Sequence, residues 1–451
     1  MPFMSLQRLK KSLQLGAVAA LVSMLAACSG TSGGPAAAGD TAAAAANTGS
    51  SVSPEGRVVL NYWTWWGSET RRPIIEKLVD DFNKSQDKIY VKHTYYPYSD
   101  IFTKELAAVS AGDPPDIMMN DINTVQQRAS KNQAMNLSKY VERDKVQDRF
   151  FPELWNTVLY NGDPYALPFN TDTRMMFYNK DDFKNAGLDP EKFPDTWDEL
   201  EQAAQKLDQK HGNTYTHIGY SPQFNSDWTL LQLNFDGGRN FFDENGNPVV
   251  NAPAKAEALQ YILDNAKRLG QKNIDAFKAD FGSQQANPFL SGKVSIWTDV
   301  TNFYTQIRDY GEGINFGVAP LPETTEGAGH WSVGGGFVIE IPYGAKHPDE
   351  AWEFLKYMTD VEAQTYWAEK NFDNVANVEA SNAPELQSNL VYKASVDNLK
   401  YTKLTPNPLN APDYMNLINP QRDTIMLGQT SIQDGLNKAQ ADVEKLVSGS
   451  K

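Results

Sequence analysis

Aromatic rings, amides and a carboxylate follow the first and third predicted strands of the chain, namely Trp65, Trp66, Glu69, Asn120 and Asn123. Their side chains offer aromatic planes for packing and polar groups for hydrogen bonds. Strands and amphipathic helices alternate in this part of the sequence, which indicates a parallel, doubly wound sheet. The loops that follow the strands of such a sheet meet at one edge, so we expect these side chains at the rim of one crevice. Because residues alternate along a strand, core packing is the alternative role for the tryptophans.

Motifs of metal-dependent catalysis are missing from the sequence. The chain has five histidines and no His-Glu-x-x-His sequence. The segment 243–247 resembles a calcium loop, but Pro248 occupies the sixth position, where an EF-hand needs glycine, so we expect a hairpin turn. We therefore predict a protein that has no cofactor and no metal and is not an enzyme. A pair of opposed carboxylates, as in a secreted glycan-acting hydrolase, is an alternative that the sequence does not exclude.

The charge of the chain argues against a nucleic-acid partner. Among 451 residues, 41 are basic and 56 are acidic, which gives a formal net charge of −15. A nucleic-acid-binding protein carries a basic patch instead. The length allows two or three domains, and the acidic balance is typical of a soluble, non-adhesive protein.

The N-terminus has the pattern of an export signal. Arg8, Lys10 and Lys11 precede the apolar run 13–25, which is too short to span a bilayer comfortably. This run ends in Leu25-Ala26-Ala27-Cys28, which resembles the lipobox of bacterial lipoproteins, and Cys28 is the only cysteine. We expect a lipid on Cys28, because a single cysteine in an exported protein has no partner for a disulfide. The small and polar residues that follow predict a flexible tether.

The stretch 331–360 has the most informative pattern in the chain. Three glycines at 334–336 lead into an alternating apolar strand, and Pro348 then opens a helix with an apolar stripe. With Gly112-Asp113-Pro114-Pro115, Tyr165-Ala166-Leu167-Pro168, Thr196-Trp197-Asp198-Glu199-Leu200 and Ser291-Gly292-Lys293, this stretch resembles extracellular solute-binding protein family 1. The similarity is to the sugar- and oligosaccharide-binding proteins of ABC importers, which include maltose-binding protein. It runs from about Val58 to the C-terminus.

The resemblance implies a fold and a division of the chain. The family has the α/β, type II periplasmic-binding-protein fold, in which two lobes, each a sheet flanked by helices, are joined by crossover hinge strands. By this likeness the chain has a lipoprotein signal peptide (1–27), a tether (28–56), a first lobe (57–168 and 318–360) and a second lobe (169–317 and 361–451).

The resemblance also implies ligand-binding positions. In addition to the five residues at the crevice rim, these are Asp172, Asn225, Trp228, Trp297, Asp299, Gly335 and Tyr414. The family has a tryptophan and an aspartate where this chain has Asn120 and Asn123. Asp172 matches a carboxylate that hydrogen-bonds sugar hydroxyls.

The implied function is that of a receptor. We expect an exported protein, lipid-anchored to the cell membrane and facing the periplasm or the cell exterior, that binds a carbohydrate and delivers it to the permease subunits of an ABC transporter. We expect it to be a monomer. A phosphorylated polyol such as glycerol-3-phosphate is the alternative ligand, but it needs a basic residue in the cleft and none of the matched positions is basic. A surface adhesin is a further alternative.

Overall fold

Strands and helices alternate along the folded part of the chain. The computed structural model describes residues 56–405 and 407–449. The predicted signal peptide, Cys28 and all but the last residue of the predicted tether lie outside the described residues.

The described residues form strands with the following bounds: β1 (Val58–Thr64), β2 (Ile89–Tyr95), β3 (Ile117–Asp121), β4 (Leu159–Tyr160), β5 (Asp163–Pro164), β6 (Leu167–Thr171), β7 (Arg174–Asn179), β8 (Gln209–His211), β9 (Thr214–His217), β10 (Ile296–Val300), β11 (Phe316–Ala319), β12 (Ser332–Gly334), β13 (Gly336–Glu340), β14 (Asn374–Val375) and β15 (Thr402–Leu404).

They form α-helices with the following bounds: α1 (Arg72–Ser85), α2 (Tyr98–Ser110), α3 (Val125–Ser130), α4 (Ser138–Asp144), α5 (Pro152–Thr157), α6 (Lys180–Asn185), α7 (Trp197–Leu207), α8 (Pro222–Asn225), α9 (Trp228–Phe235), α10 (Pro253–Leu269), α11 (Gln271–Ala279), α12 (Phe303–Tyr310), α13 (Pro348–Met358), α14 (Val361–Asn371), α15 (Val378–Ser381), α16 (Pro384–Gln387), α17 (Leu390–Asn398), α18 (Met415–Met426) and α19 (Ile432–Gly449).

Local sequence signals account for several of these boundaries. A capping box is present at Thr196: its side chain accepts from the Glu199 N–H, and the Glu199 side chain accepts from the Thr196 N–H. Pro348 stands at the start of α13, as its fixed φ favours, and the predicted apolar stripe of this helix is buried.

The first lobe is built on a six-stranded sheet with the strand order β14-β6-β13-β3-β1-β2. β1 pairs in parallel with β2 and β3, but β13 is antiparallel to both β3 and β6, and β14 is antiparallel to β6. The prediction of a parallel sheet is therefore wrong for three of the five strand pairings in this sheet. The reason is connectivity, because β13 enters the lobe at the end where β3 and β6 finish.

The second lobe contains an antiparallel three-stranded sheet with the order β10-β7-β11. Apolar side chains fill the space between this sheet and the helices on both of its faces. Met176 and Trp197 belong to the core on one face, and Phe177 and Phe303 belong to the core on the other.

The chain crosses between the lobes at positions that differ from the predicted ones. It leaves the first sheet after Thr171 and enters the second at Arg174, and it returns at Gly335, between β12 and β13. The segment 320–334 therefore stays with the second lobe, where Leu321 and Val333 are core residues.

The segment 361–392 also differs from the predicted division. It was assigned to the second lobe, but Trp367 and Tyr392 are buried in the core of the first. The Trp367 ring lies 4.3 Å from that of Trp66, which attaches α14 to the first lobe. The last two helices, α18 and α19, pack in the second lobe. Within the described residues, no helix combines the length and the hydropathy needed to cross a membrane.

Candidate functional site in the cleft between the lobes

A cavity of about 600 Å³ lies between the two lobes, above the crossing strands. This volume is in the range of small-molecule sites. Its walls come from segments that are distant in sequence. The first lobe contributes Tyr98, Asp121, Asn123 and Phe337, the crossing segments contribute Asp172, Arg174, Val333, Gly334, Gly335 and Gly336, and the second lobe contributes Gln223, Phe224, Asn225, Ser226, Asp227, Thr229, Leu230 and, from the segment after β15, Thr405.

The floor of the cavity is a polar junction between the two crossing segments. The Gly335 N–H donates to Asp172 Oδ1 over 3.0 Å, and Arg174 donates to the same carboxylate oxygen. Arg174 also donates to the Val333 carbonyl at 3.3 Å. Asp172 and Arg174 remain about one-third exposed, with side-chain exposures of 29% and 34%. The pair is thus both a part of the hinge and accessible from the cavity.

Glycine is required where the second crossing segment enters the first lobe. Gly336 has φ +150°, and a Cβ at this position would lie 2.3 Å from the Asn170 carbonyl oxygen. Only a residue without a side chain allows this close approach of the two strands. The approach places the neighbouring Phe337 at the cavity wall.

The wall of the second lobe is positioned by helix caps and by one hydrogen-bond cluster. Asp227 caps α9, since its side chain accepts from the Leu230 N–H at 3.1 Å. Asn225 donates from Nδ2 to Asp299 Oδ2 at 3.1 Å. The Trp297 indole donates to the same Asp299 oxygen at 2.9 Å, which fixes the carboxylate that holds Asn225.

The cavity has an excess of negative charge. Among its described lining residues, Asp121, Asp172 and Asp227 are acidic, whereas Arg174 is basic and already pairs with Asp172. Burial raises the pKa of the Asp172 carboxyl, and the Arg174 guanidinium opposes this shift. Burial also raises the pKa of Asp121 and that of Asp299. An anionic ligand would meet more repulsion than attraction here.

Aromatic rings face the cavity from both lobes. Tyr98 and Phe337 lie on the first lobe, and Phe224 lies on the second. Trp65 stands behind the first pair, with ring centroids 5.2 Å from Tyr98 and 4.7 Å from Phe337. Phe224 packs against Phe281 at 4.9 Å.

Residues 66–365, more than half of the chain, match the family model of bacterial extracellular solute-binding proteins. The chain belongs to this family.

Relatives of this solute-binding protein include receptors for different ligands. An arabinooligosaccharide-binding protein of Bacillus subtilis is 26% identical over 336 residues, which cover 72% of this chain and 74% of that protein. An sn-glycerol-3-phosphate-binding periplasmic protein of Yersinia pestis is 26% identical over 317 residues, which cover 66% of this chain and 69% of that protein. The solved structure of CpMnBP1 with mannobiose bound has a TM-score of 0.76 at 27% identity and covers 86% of this chain and 99% of that one. The predicted family and two-lobed fold are thereby confirmed.

The cavity of the solute-binding protein brings together four of the positions predicted for ligand binding. Asn123, Asp172, Asn225 and Gly335 line it, and Asp299 lies directly behind Asn225. Trp65 is half-buried behind the lining rings, and Glu69 is exposed on the loop after β1 without lining the cavity.

Other predicted positions are core residues, and the structure corrects their placement. Trp66 is 1% exposed and packs between Phe169 and Trp367 in the first lobe. Trp228 is 2% exposed, and its indole donates to the Lys255 carbonyl. Tyr414 packs edge-on against Phe242 in the second lobe.

Asn120 and Trp297 are also buried and do not line the cavity. Asn120 donates to Glu340 Oε1 at 3.0 Å inside the first lobe. Trp297 is part of the second-lobe core and acts on the cavity only through Asp299.

Several lining residues were missed although they adjoin predicted ones. Asp121 follows Asn120, and Asp227 precedes Trp228. In each pair one side chain points into a core and its neighbour into the cavity. The alternation of β3 and the N-cap position before α9 were available signals for both acidic residues. Tyr98, Arg174, Gln223, Phe224, Phe337 and Thr405 were not predicted either.

Metal-ligating side chains do not cluster in the part of the chain that the structure describes. No group of three or more His, Cys, Asp or Glu residues there is arranged to hold an ion.

Proposed function

We propose that this solute-binding protein captures a carbohydrate in the cavity between its lobes and delivers it to the membrane-embedded permease of an ABC importer. The observation that carries the proposal is the combination of aromatic rings with hydrogen-bonding groups on both walls. The C–H face of a sugar ring packs on an aromatic plane, while its hydroxyls need donors and acceptors. The similarity to an arabinooligosaccharide-binding protein and to CpMnBP1 with mannobiose bound supports the same ligand class.

In this proposal the polar contacts to the sugar come from Asn123, Asp172 and Asn225, with the Gly335 backbone at the floor. Asp299 acts by holding Asn225. Trp65 supports the aromatic wall, and Glu69 acts at the outer loop if the lobes close further.

A phosphorylated polyol is the second candidate ligand, because a relative from Yersinia pestis binds sn-glycerol-3-phosphate. Such a ligand needs a basic residue, and Arg174 provides one in the cavity. The sequence alone did not indicate a basic residue there. However, Arg174 is paired with Asp172, and two further carboxylates line the same cavity. The charge balance therefore favours the uncharged sugar.

Isothermal titration calorimetry tests the proposal with mannobiose, maltotriose, an arabinooligosaccharide and sn-glycerol-3-phosphate as probes. We expect saturable binding of at least one saccharide and no binding of sn-glycerol-3-phosphate. Chromatography of the same mixtures should detect no cleavage products, since we propose a receptor and not a hydrolase. A protein that binds sn-glycerol-3-phosphate and no saccharide would overturn the proposal, and so would turnover of a saccharide.

We propose further that the protein acts as a monomer at the membrane surface, held there by a lipid on Cys28. The lipobox-like sequence before this cysteine and membership of an extracellular family support the anchor. Sedimentation of the purified chain tests the monomer, and a stable dimer would contradict it.

A further inference from the structure

Tyr98 is an exposed aromatic residue at the outer edge of the cavity. It is the first residue of α2 and follows Pro97. Its surface is 51% exposed, although it is one of the rings that line the cavity. An aromatic ring in this position carries apolar surface that water solvates poorly, and a ligand face can cover it.

The orientation of the Tyr98 ring is fixed by two neighbouring rings. Trp65 packs against it at 5.2 Å and 87°, and Phe102 at 5.2 Å and 89°. Perpendicular packing of this kind is a favoured arrangement for aromatic pairs. The ring is therefore held in place before any ligand binds, which lowers the entropy cost of binding to it.

Tyr98 and Phe337 form two separate aromatic positions along one wall. Phe337 is half-buried next to the hinge glycine Gly336, whereas Tyr98 is at the rim. Both rings contact Trp65, so their centroids lie within about 10 Å of each other. Trp65 thus supports both rings from behind.

A hydroxyl-binding group accompanies the outer ring. Asp121 lines the same cavity as Tyr98, and burial, followed by the charge of Asp121, raises the pKa of the Tyr98 phenol. Asp121 Oδ1 accepts from the Asn123 N–H at 2.8 Å, which orients the carboxylate at the cavity wall. An aromatic face beside a fixed acceptor is the combination that a sugar ring requires.

We infer that Tyr98 stacks on a second sugar ring while Phe337 contacts the first, so that Tyr98 makes the cleft selective for saccharides of two or more rings. This inference rests on the proposed carbohydrate-binding function. Trp65 is the positioning residue for Tyr98 and does not touch the ligand.

Calorimetric titration of the full chain with mannose, mannobiose and mannotriose, and in parallel with glucose, maltose and maltotriose, tests the inference. We expect the wild type to bind the disaccharide of its preferred series more tightly than the monosaccharide. Tyr98→Ala should weaken disaccharide binding roughly tenfold or more and weaken monosaccharide binding far less, so that the ratio of the two affinities falls. Tyr98→Phe should keep the preference, because the ring face makes the contact.

Tyr343→Ala is the matched control. Tyr343 is 56% exposed, does not line the cavity, and donates only its backbone N–H to the Gln133 carbonyl, which alanine retains. The Tyr343→Ala variant should bind every sugar with the same affinity as the wild type.

Trp65→Ala should weaken binding of both the monosaccharide and the disaccharide, because Trp65 supports Phe337 as well as Tyr98, and Trp65→Phe should restore both. An unchanged ratio of disaccharide to monosaccharide affinity in Tyr98→Ala overturns the inference, and so does a wild type that prefers the monosaccharide. A wild type that binds no sugar of either series and no arabinooligosaccharide fails the proposed function itself, which separates the two failures.

Discussion

Single side chains in the cleft perform two tasks, because the residues that line it also hold the hinge together. Asp172 accepts from the Gly335 N–H and from Arg174, yet it faces the cavity. A sugar hydroxyl that donates to this carboxylate would add to the bonds that join the crossing segments. Ligand contact and hinge geometry are therefore coupled at this residue.

Asp172→Asn should weaken saccharide binding by about 1–2 kcal/mol, because it keeps the volume and removes a charged acceptor. The same change leaves Arg174 without its carboxylate, so sn-glycerol-3-phosphate, which the wild type should not bind, should show measurable binding to the variant. Calorimetry with both ligands measures the two effects. Asp80→Asn is the control, since Asp80 is exposed on α1 and makes only a 3.8 Å ion pair with Lys84. Equal sugar affinity in Asp172→Asn and wild type would contradict the role.

Packed elements of the first lobe meet at one buried charge cluster that supports the rim of the cleft. Arg128 of α3 donates to Glu105 of α2 and to Glu340 of β13, and all three side chains are at most 6% exposed. Asn120 donates to Glu340 and connects the cluster to the end of β3, where Asp121 faces the cavity. Two carboxylates share one guanidinium, which leaves an excess negative charge in a buried place, so the cluster favours the binding of a proton.

Stability should fall as the pH rises through neutrality because of this cluster. Burial, and next the charge of Glu340, raise the pKa of Glu105 to about 7, against the opposing effect of Arg128. The pKa of Glu105 in the folded state thus lies above its ordinary value, and protonation stabilises the fold. This contribution is complete below the ordinary pKa of a glutamate and is lost as the pH rises through about 7.

Urea denaturation at pH 5 and pH 8 measures the effect. Glu105→Gln keeps a hydrogen-bonding group at this position but cannot titrate. The free energy of unfolding of the variant, compared with that of the wild type, should therefore be higher at pH 8 than at pH 5. Subtracting the free energy of unfolding of the wild type from that of the variant at each pH cancels the contributions of the other titrating groups. A difference that does not change with pH would show that Glu105 does not titrate in this range.

The whole molecule is two lobes joined by adjacent crossing segments, an arrangement that allows hinge closure. The segments at Asp172 and Gly335 lie side by side, so rotation about them changes the distance between the two walls of the cavity. The lobes also touch beside this junction, where Asn302 donates to Asp373 at 3.0 Å and Tyr304 packs on Phe372.

Saturating saccharide should reduce the radius of gyration measured by small-angle scattering, since the ligand binds both walls. It should also raise the melting temperature, by a stabilisation of about 2.7 kcal/mol at a ligand concentration of one hundred times Kd. An unchanged radius at saturation would argue against closure, whereas an unchanged melting temperature would argue against binding to the folded state alone.

Cys28→Ala should release the protein from membranes and leave the fold intact. Within the described residues, the buried core of the first lobe begins at Leu60, and the fold depends on the side chains of this core. Fractionation of cells into membrane and soluble pools decides the outcome, and circular dichroism serves as the control for folding. A variant that still sediments with membranes would contradict the lipid anchor.

The order of motifs in the sequence indicated the family and, through that resemblance, the two lobes, whereas local periodicity and caps indicated several helices and strands. The capping box at Thr196 and the glycine run at 334–336 are examples. Tertiary structure alone decided which of two neighbours faces the cleft, as with Asn120 and Asp121, or Asp227 and Trp228. It also brought Tyr98 to the cavity, paired Arg174 with Asp172 and placed α14 in the first lobe. A local pattern predicts that an element has two faces, but the segments that cover each face are distant in sequence and are known only once the chain has folded.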